Sequence, residues 1–449
     1  MLQCRSLPAA ALQWCNKMKF PGLRKIKHYF PVSQPKPQLP SFEVRPELDT
    51  YIVGLDQTIV DVVASVSDEF LQKYAISKGL SNLVEHGKAN LIYQELVAQQ
   101  AISDHFAGGT IGNTIHNYSV LADDKSVLLG VMSANIALGS PAYHYVCHTS
   151  SKVDMNHLQG VAGDIGRGIT MITPDGERTF VIDPSDMDEL CADYIPTDII
   201  AGAAAFVVSA YPLRAVGKPI QPAMLKALQD AKAHNVPVVM SLGTRHLVEE
   251  NREQILSTIK DYVNVLAMNE LEAEALTGFA DPLKAAEAIL EHTDMVLITA
   301  GPEGLYLCGH TDDSVKRDSS NPIKSASLAD FNKYEFSRPM LRRSCSKPLK
   351  VYSHIDPYMG GPERIKNTNG AGDGALSAIL HDMAANHFHK QVQPLSGKHE
   401  QPYLAYSSFA QICKYANRVS YEILVQNAPR LSKGLPERED SLEEAYWER

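Results

Sequence analysis

A chain of 449 residues, 44% hydrophobic and 21% charged, has ample material for a well-buried core and no apolar run long enough to cross a bilayer. Its formal net charge of −10 argues against a surface that gathers nucleic-acid phosphates and favours a small-molecule partner, with neither nucleic acid nor membrane. Seven cysteines, an odd number without CxxC spacing, read as reduced thiols of a cytoplasmic protein, placed for packing.

The opening segment lacks a secretory hydrophobic stretch. Met18 begins a different texture, MKFPGLRKIKHYFPV, so residues 1–17 read as an upstream extension. The basic group Arg24, Lys25, Lys27 and His28 is either a solvated arm or a contact for an anionic ligand. The reading therefore sets residues 1–45 apart as extension and arm, 46–435 as one domain, and 436–449 as a tail.

From Tyr51 onward short β-branched runs alternate with stretches of helical period, the pattern of a mostly parallel sheet sandwiched between helix layers. The predicted buried strands are YIVGL from Tyr51, SVLLGVM from Ser126, AFVVSA from Ala205, VPVVMSL from Val236, VNVLAM from Val263 and MVLITA from Met295. Helices are predicted over Pro222–Asn235, with Met224, Leu225, Leu228 and Ala231 inside, and over Glu270–Leu276. Two segments break the rhythm: DVVASVSD from Asp61, and Gly168–Asp183, where two alternating runs flank the turn Pro174, Asp175, Gly176. Strands inserted around 61–68 and 140–183 are expected to form a small sheet lying as a lid over the carboxyl edge of the main one. Gly309–Lys347 and His387–Gln401 read as polar surface insertions.

The most informative segment is NTNGAGDGALSAILHDM, Asn367–Met383. Leu376, Ile379, Leu380 and Met383 fall on one helical face, so Gly370, Ala371 and Gly372 occupy the turn that opens a buried helix. Free backbone amides and the positive end of the helix dipole make that turn an anion site, and Asp373 beside it suits a general base in phosphoryl transfer. The plainer alternative is an Asp cap on a glycine-rich start. FAGGTIGNT, Phe106–Thr114, also opens a helix, with Gly108 and Gly109 able to approach a sugar and Asn113 suited to hydroxyls. No segment matches GxGxxG after the first strand or GxxxxGK[ST].

The first strand ends in GLDQTIVDV, where Asp56 and Asp61 could grip vicinal ribose hydroxyls; for Asp61 a solvated loop carboxylate is the alternative. Asn269 and Glu272, three apart at a helix start, could hold a metal–phosphate unit through water, or be an exposed acidic cap. Thr299–Gly304 offers backbone donors after a strand, or only a turn. A metal site from His381, His387 and His389 lacks a matching carboxylate or cysteine set.

The order of these signals resembles the ribokinase-like (phosphofructokinase-B type) carbohydrate and nucleoside kinases. GLDQTIVD and the AGG turn look closest to the nucleoside-phosphorylating branch. MKFPGLRKIKHYFPV, FAGGTIGNT, NYSVLADDKSVLLGVM, YSHIDPYMGGPE, NTNGAGDGAL and GLPEREDSLEE are similar, more narrowly, to bacterial kinases of inosine and guanosine. The resemblance runs from Met18 to the last residue and implies a ribokinase-like, three-layer, doubly wound α/β fold with a small inserted lid sheet. It implies transfer of a phosphoryl group from ATP, with Mg2+, to the ribose 5′-hydroxyl, with Asp373 as base and Gly370, Ala371 and Gly372 as the anion hole. Asn269 and Glu272 would organise Mg2+. Asp56, Gln57, Thr58 and Asp61, with Gly108, Gly109, Thr110, Ile111, Gly112 and Asn113, would hold the nucleoside, and Arg214 could reach over it or be a plain surface residue. Thr299, Ala300, Gly301, Pro302, Gly304, Asn369, Gly372 and Asn417 would line the ATP side. Asn367 stands where the family commonly has Asp, which puts a monovalent cation in doubt. The likeness also implies a homodimer. A sugar kinase of the same fold and a noncatalytic nucleotide sensor are the competing readings.

Overall fold

Val, Ile and Leu on successive strand positions turn alternately to two separate apolar layers, as a sheet covered on both faces requires. The computed structural model describes residues 50–319, 332–358 and 365–435; the predicted basic arm and tail lie outside them. Its strands are β1 (Tyr51–Leu55), β2 (Ile59–Ser65), β3 (Ser81–Leu83), β4 (Ile102–Ala107), β5 (Lys125–Leu129), β6 (Val131–Ser133), β7 (Val153–Asp154), β8 (Gln159–Val161), β9 (Gly166–Ile172), β10 (Arg178–Asp183), β11 (Phe206–Ser209), β12 (Val238–Ser241), β13 (Val265–Asn269), β14 (Met295–Thr299), β15 (Leu305–Asp312) and β16 (Pro348–Ile355). Its helices are α1 (Asp68–Lys73), α2 (His86–Ala98), α3 (Thr110–Ala122), α4 (Pro141–Cys147), α5 (Thr197–Ala201), α6 (Ile220–Ala233), α7 (Arg245–Tyr262), α8 (Glu270–Thr277), α9 (Pro282–Ile289), α10 (Ala371–Val392) and α11 (Phe409–Leu424).

The main sheet runs β16-β15-β14-β13-β12-β11-β1-β5-β7. It is parallel from β14 to β7, and β15 and β16 close one edge antiparallel. Ile52, Val207, Val239, Val265 and Leu297 join the layer that holds α3, α10 and α11. Val53, Val208, Val238, Leu266 and Val296 join the layer that holds α6, α7, α8 and α9. Gly54 lets α3 lie close on β1, because a Cβ there would meet Ile111 and Ile115 at 2.7 and 2.8 Å. That approach sets the start of α3 beside the end of β1.

A second sheet, β3-β10-β9-β2-β4, is built from the inserted strands. The predicted hairpin is present as antiparallel β9 and β10, with Ile172 paired to Arg178. Val60, Val62, Ala64, Ile169, Met171 and Val181 belong to the same apolar layer as Ala89, Ile92 and Leu96 of α2. The intervening Asp61 turns the other way, between Gly108 and Gly168.

Several sequence expectations shift. SVLLGVM splits at Gly130, where a Cβ would come within 2.8 Å of the Asp56 carbonyl, so β6 leaves the main sheet to pair with β8. The inserted sheet gains β3 and β4, which short length and mixed polarity conceal, and β7, in the expected insertion, extends the main sheet instead. Leu225 is 44% exposed, and Ala227 takes the inner position of α6. The insertion expected from Gly309 starts later, since β15 carries buried His310, Thr311 and Asp312. The one expected from His387 begins on α10, which continues to Val392.

Candidate functional site

The amino ends of α3 and α10 meet through Asn113 and Asp373, within the charge of Asp61 of the small sheet and with Glu272, just after β13, in the field of Asp373. Gly370 caps α10 in the left-handed region, φ 81, a conformation glycine adopts without strain. It also has no room for a side chain, because a Cβ would sit 2.7 Å from the carbonyl oxygen of Pro429. Gly372, by contrast, faces open space. The first amides of α10 have no intrahelical acceptor and bring the positive end of its dipole to this opening.

Asp373, in the first turn of α10, accepts a hydrogen bond at Oδ2 from Asn113 Nδ2 at 3.0 Å. Asn113 Oδ1 in turn accepts from Arg430 Nε at 2.9 Å. Burial pushes the Asp373 carboxyl up to about 7; the Asn113 bond and the Arg430 charge oppose the rise, and the Asp61 charge adds to it. Asp61 itself is pushed up to about 6 by burial against the pull of Arg430. It belongs to β2 and is not the solvated loop carboxylate of the plainer reading.

Asp56 is a buried tie between β1 and α3. Its Oδ2 accepts from the Gly112 amide at 2.7 Å and its Oδ1 from the Gln57 amide at 3.0 Å. Gly109, φ 85, is the cap of α3, and a Cβ on it would strike the Asp56 carboxylate at 2.3 Å. Burial raises the Asp56 pKa to about 7, the Gly112 bond opposing it and the Asp373 charge adding to it.

The expected nucleoside residues therefore divide. Asn113, Asp61 and the Gly108–Gly109 turn meet at the cleft, where Gly108 O accepts from Arg430 Nη2 at 2.9 Å. Thr58 turns away, its hydroxyl donating to Val131 O at 2.6 Å, and the Ile111 side chain is core. Gln57 bonds Asp188. Arg214 is exposed and stacks at 4.9 Å on Tyr211; burial raises the Asp188 pKa, and the Arg214 charge is among the groups opposing that rise, which places it near Asp188. Thr110 accepts through its carbonyl from Thr114 Oγ1 at 2.8 Å.

Asn269 and Glu272 form a capping box on α8. Asn269 Oδ1 accepts from the Glu272 amide at 2.8 Å, and the two Glu272 oxygens accept from Asn269 N at 3.0 Å and Nδ2 at 2.8 Å. Glu272 is buried, not the exposed helix start of the alternative, and burial pushes it up to about 7 against the Asn269 bond, with Asp373 adding to the rise. Asn269 pairs with Thr299 on the neighbouring strand, so this box and the Thr299–Gly304 turn lie side by side. The turn offers fewer donors than expected, since the amides of Ala300, Glu303 and Gly304 are spent within it and Pro302 has none. Gly301 opens the short 3-10 helix Gly301–Glu303 within it.

Asn417 is likewise committed: its Nδ2 donates to Asp356 O at 2.8 Å and its Oδ1 accepts from Tyr358 N at 3.3 Å. Asn369 is exposed, its amide donating to Asn367 Oδ1 at 3.0 Å, while Asn367 Nδ2 donates to Asn427 O at 2.8 Å. An aspartate at 367 could make the first of these bonds but not the second. His381 is a core residue bonded to Tyr415 Oη at 2.8 Å. His389 meets His399, and among the described residues no group of three His, Cys, Asp or Glu could hold a metal.

Sequence reasoning missed Arg430. The signal was there: several carboxylates around one cleft need a countercharge, and NAPR carries a lone arginine among small and apolar residues just after the last helix.

The chain matches, over residues 90–325, a family model described as pfkB family carbohydrate kinase. The guanosine-inosine kinase of Escherichia coli strain K12 is 56% identical over 436 residues, covering 96% of this chain and 100% of that relative. Among solved structures, adenosine kinase from Sinorhizobium meliloti superposes with a TM-score of 0.62 at 19% identity, covering 86% of this chain and 97% of that one. A probable sugar kinase from Rhizobium etli superposes equally, at 0.62 and 18% identity, covering 86% and 96%. At such identities these structures share the fold alone.

Proposed function

The chain belongs to the pfkB family of carbohydrate kinases, and from that premise we propose that it is a purine nucleoside kinase, phosphorylating guanosine and inosine at the ribose 5′-hydroxyl with ATP. The Escherichia coli relative named for that activity matches nearly end to end, which favours this over a sugar kinase of the same fold. The observation that carries the chemistry is Asp373, a carboxylate with its pKa near 7 standing at a helix start open toward solvent. Ionised, it accepts the 5′-hydroxyl proton as O5′ bonds to the γ-phosphorus. The bond from that phosphorus to the β,γ-bridging oxygen breaks, and ADP leaves with the electron pair. The amides of Ala371 and Gly372, at the helix start, would meet charge on the transferring oxygens, so alignment and fixed dipoles would supply most of the acceleration.

A divalent cation would be held here through water and by the ATP phosphates, since among the described residues no three of these side chains form a direct metal site. Asp56, Asp61 and Asp373 share the charge of the Arg430 guanidinium, and Glu272 feels the charge of Asp373. Glu272, oriented by Asn269, would hold Mg2+ through water, leaving each carboxylate oxygen its amide bond. Bound with ATP, the metal would neutralise phosphate charge. A monovalent cation is not part of this reading, since Asn367 spends its side chain on Asn369 and Asn427. The small sheet would close over the nucleoside and exclude water.

The test is ADP release with guanosine, inosine, adenosine, ribose and fructose 6-phosphate. Guanosine and inosine are expected to lead, and preference for fructose 6-phosphate or ribose would favour the sugar-kinase alternative. Asp373→Asn is expected to lower kcat by roughly two to four powers of ten with ATP affinity largely kept. Unchanged turnover would remove Asp373 from the role, and ATP binding without turnover of any acceptor would leave a nucleotide sensor.

A further inference from the structure

The segment after α11 returns to the cleft and lies between the two helix starts that form it. Its Pro429 backs onto Gly370, leaving no space for a Cβ. Leu431 N donates to Asn117 Oδ1 at 2.7 Å, and Leu431 O accepts from His116 Nε2 at 2.9 Å. His116 Nδ1 accepts from Ser150 N at 3.0 Å, so both ring nitrogens have fixed roles. Arg430, between these anchors, is buried among oxygens: Asn113 Oδ1 at 2.9 Å, Gly108 O at 2.9 Å, Thr149 Oγ1 at 2.7 Å and, more distantly, His148 O at 3.4 Å.

A guanidinium only donates hydrogen bonds and an ionised carboxylate only accepts them. An amide caught between the two has one satisfactory orientation, oxygen toward the arginine and nitrogen toward the aspartate. Turned over, it would set donor against donor and oxygen against oxygen. We propose that Arg430 is a positioning residue for phosphoryl transfer: through Asn113 it fixes one oxygen of the Asp373 carboxylate, leaving Oδ1 to take the proton of the attacking hydroxyl. This rests on the kinase reading above. The residue touches neither the proton nor the phosphorus, and it acts through the amide and through its charge.

That charge has company. Asp61 on β2, Asp56 after β1, Glu272 on α8 and the Tyr211 phenol all share the field of Asp373, while His116 on α3 and Tyr145 on α4 lie in that of Arg430. Of these neighbours Arg430 is the group that favours an ionised Asp373 by charge. Its loss therefore does two things that a merely structural residue would not combine: it loosens the carboxylate and moves the pH at which the base is ready.

The experiment is kcat and kcat/KM for guanosine against pH in the full chain, its Arg430→Gln variant and its Arg430→Lys variant. Glutamine, neutral and able to donate or accept, is expected to lower kcat about tenfold or more and to move the acidic limb up by about one pH unit, with KM for the nucleoside within about threefold. Lysine keeps the charge and loses the fork, so its limb should stay within about half a unit of the parent while kcat drops several-fold, to about midway between the two. A glutamine variant whose limb does not move overturns the proposal. If that variant does not fold, lysine decides alone, and parental kcat in it overturns the proposal. A parent chain that phosphorylates no nucleoside at any pH removes the kinase reading, and this one with it; parental activity with indifferent variants removes only this one.

Discussion

Asp373 and His381 stand eight positions apart on one helix and show how burial does opposite things to opposite charges. Burial raises the carboxyl to about 7, so it is half ionised near neutrality. Below that, kcat/KM for the nucleoside should fall about tenfold per pH unit, and a rate still level at about pH 5.5 would mean that another group sets the ionisation. Burial lowers His381 to about 4 and keeps it neutral against Tyr415. Its folded pKa lies below the unfolded value, so the stability it contributes is complete above about pH 6.5 and is lost as pH falls toward 4. His381→Gln removes that dependence. Urea unfolding should show the parent's advantage over the variant narrowing by about 2 kcal/mol between pH 7 and 5, and a constant gap would mean that the imidazole does not titrate this way. Asp373 was legible because glycine, helix period and a following carboxylate coincide in GAGD. Arg430 was not, because nothing local distinguishes it; its meaning comes from Asn113, far away in the chain.

At the scale of elements, the parallel strands were readable because residues buried on both faces leave unbroken apolar runs. The small sheet was only half readable. β9 and β10 advertise themselves by alternation around a Pro-Asp-Gly turn, whereas ISDHFA of β4 alternates poorly and SNL of β3 is too short for a pattern. The same limit applies to NxxE, which has the form of an ordinary helix cap and, in the structure, is one. Asn269→Ala should therefore cost about 1 kcal/mol of stability. If Glu272 also holds the metal–phosphate unit, the variant should need several-fold more Mg2+ for half-maximal rate, because the released carboxylate is no longer aimed. A normal Mg2+ titration in a destabilised protein would leave the pair its capping role alone. The Thr299–Gly304 turn and Asn417 carry a similar lesson: residue type announces donors, but only the fold reveals that neighbouring backbone has already claimed them.

For the molecule as a unit, the small sheet shares its apolar layer with α2, α3, α10 and α11, yet its chain link to β1 is only Asp56–Thr58. A ligand seated against Asp61 should tie the two sheets together. Nucleoside at about 100 times its Kd is expected to raise global stability by about 2.7 kcal/mol. Hydrogen exchange should slow in β2 and β9 more than in central β12, and uniform protection would argue against closure of that sheet on the nucleoside. The place of Arg430 late in the chain has a consequence for synthesis. Asp373 is bonded by an amide from residue 113 that is itself bonded to an arginine at residue 430, so no ribosome-bound fragment ending short of Arg430 holds that carboxylate in its final setting. The nascent polypeptide can hold every strand of both sheets and still lack the finished setting of Asp373.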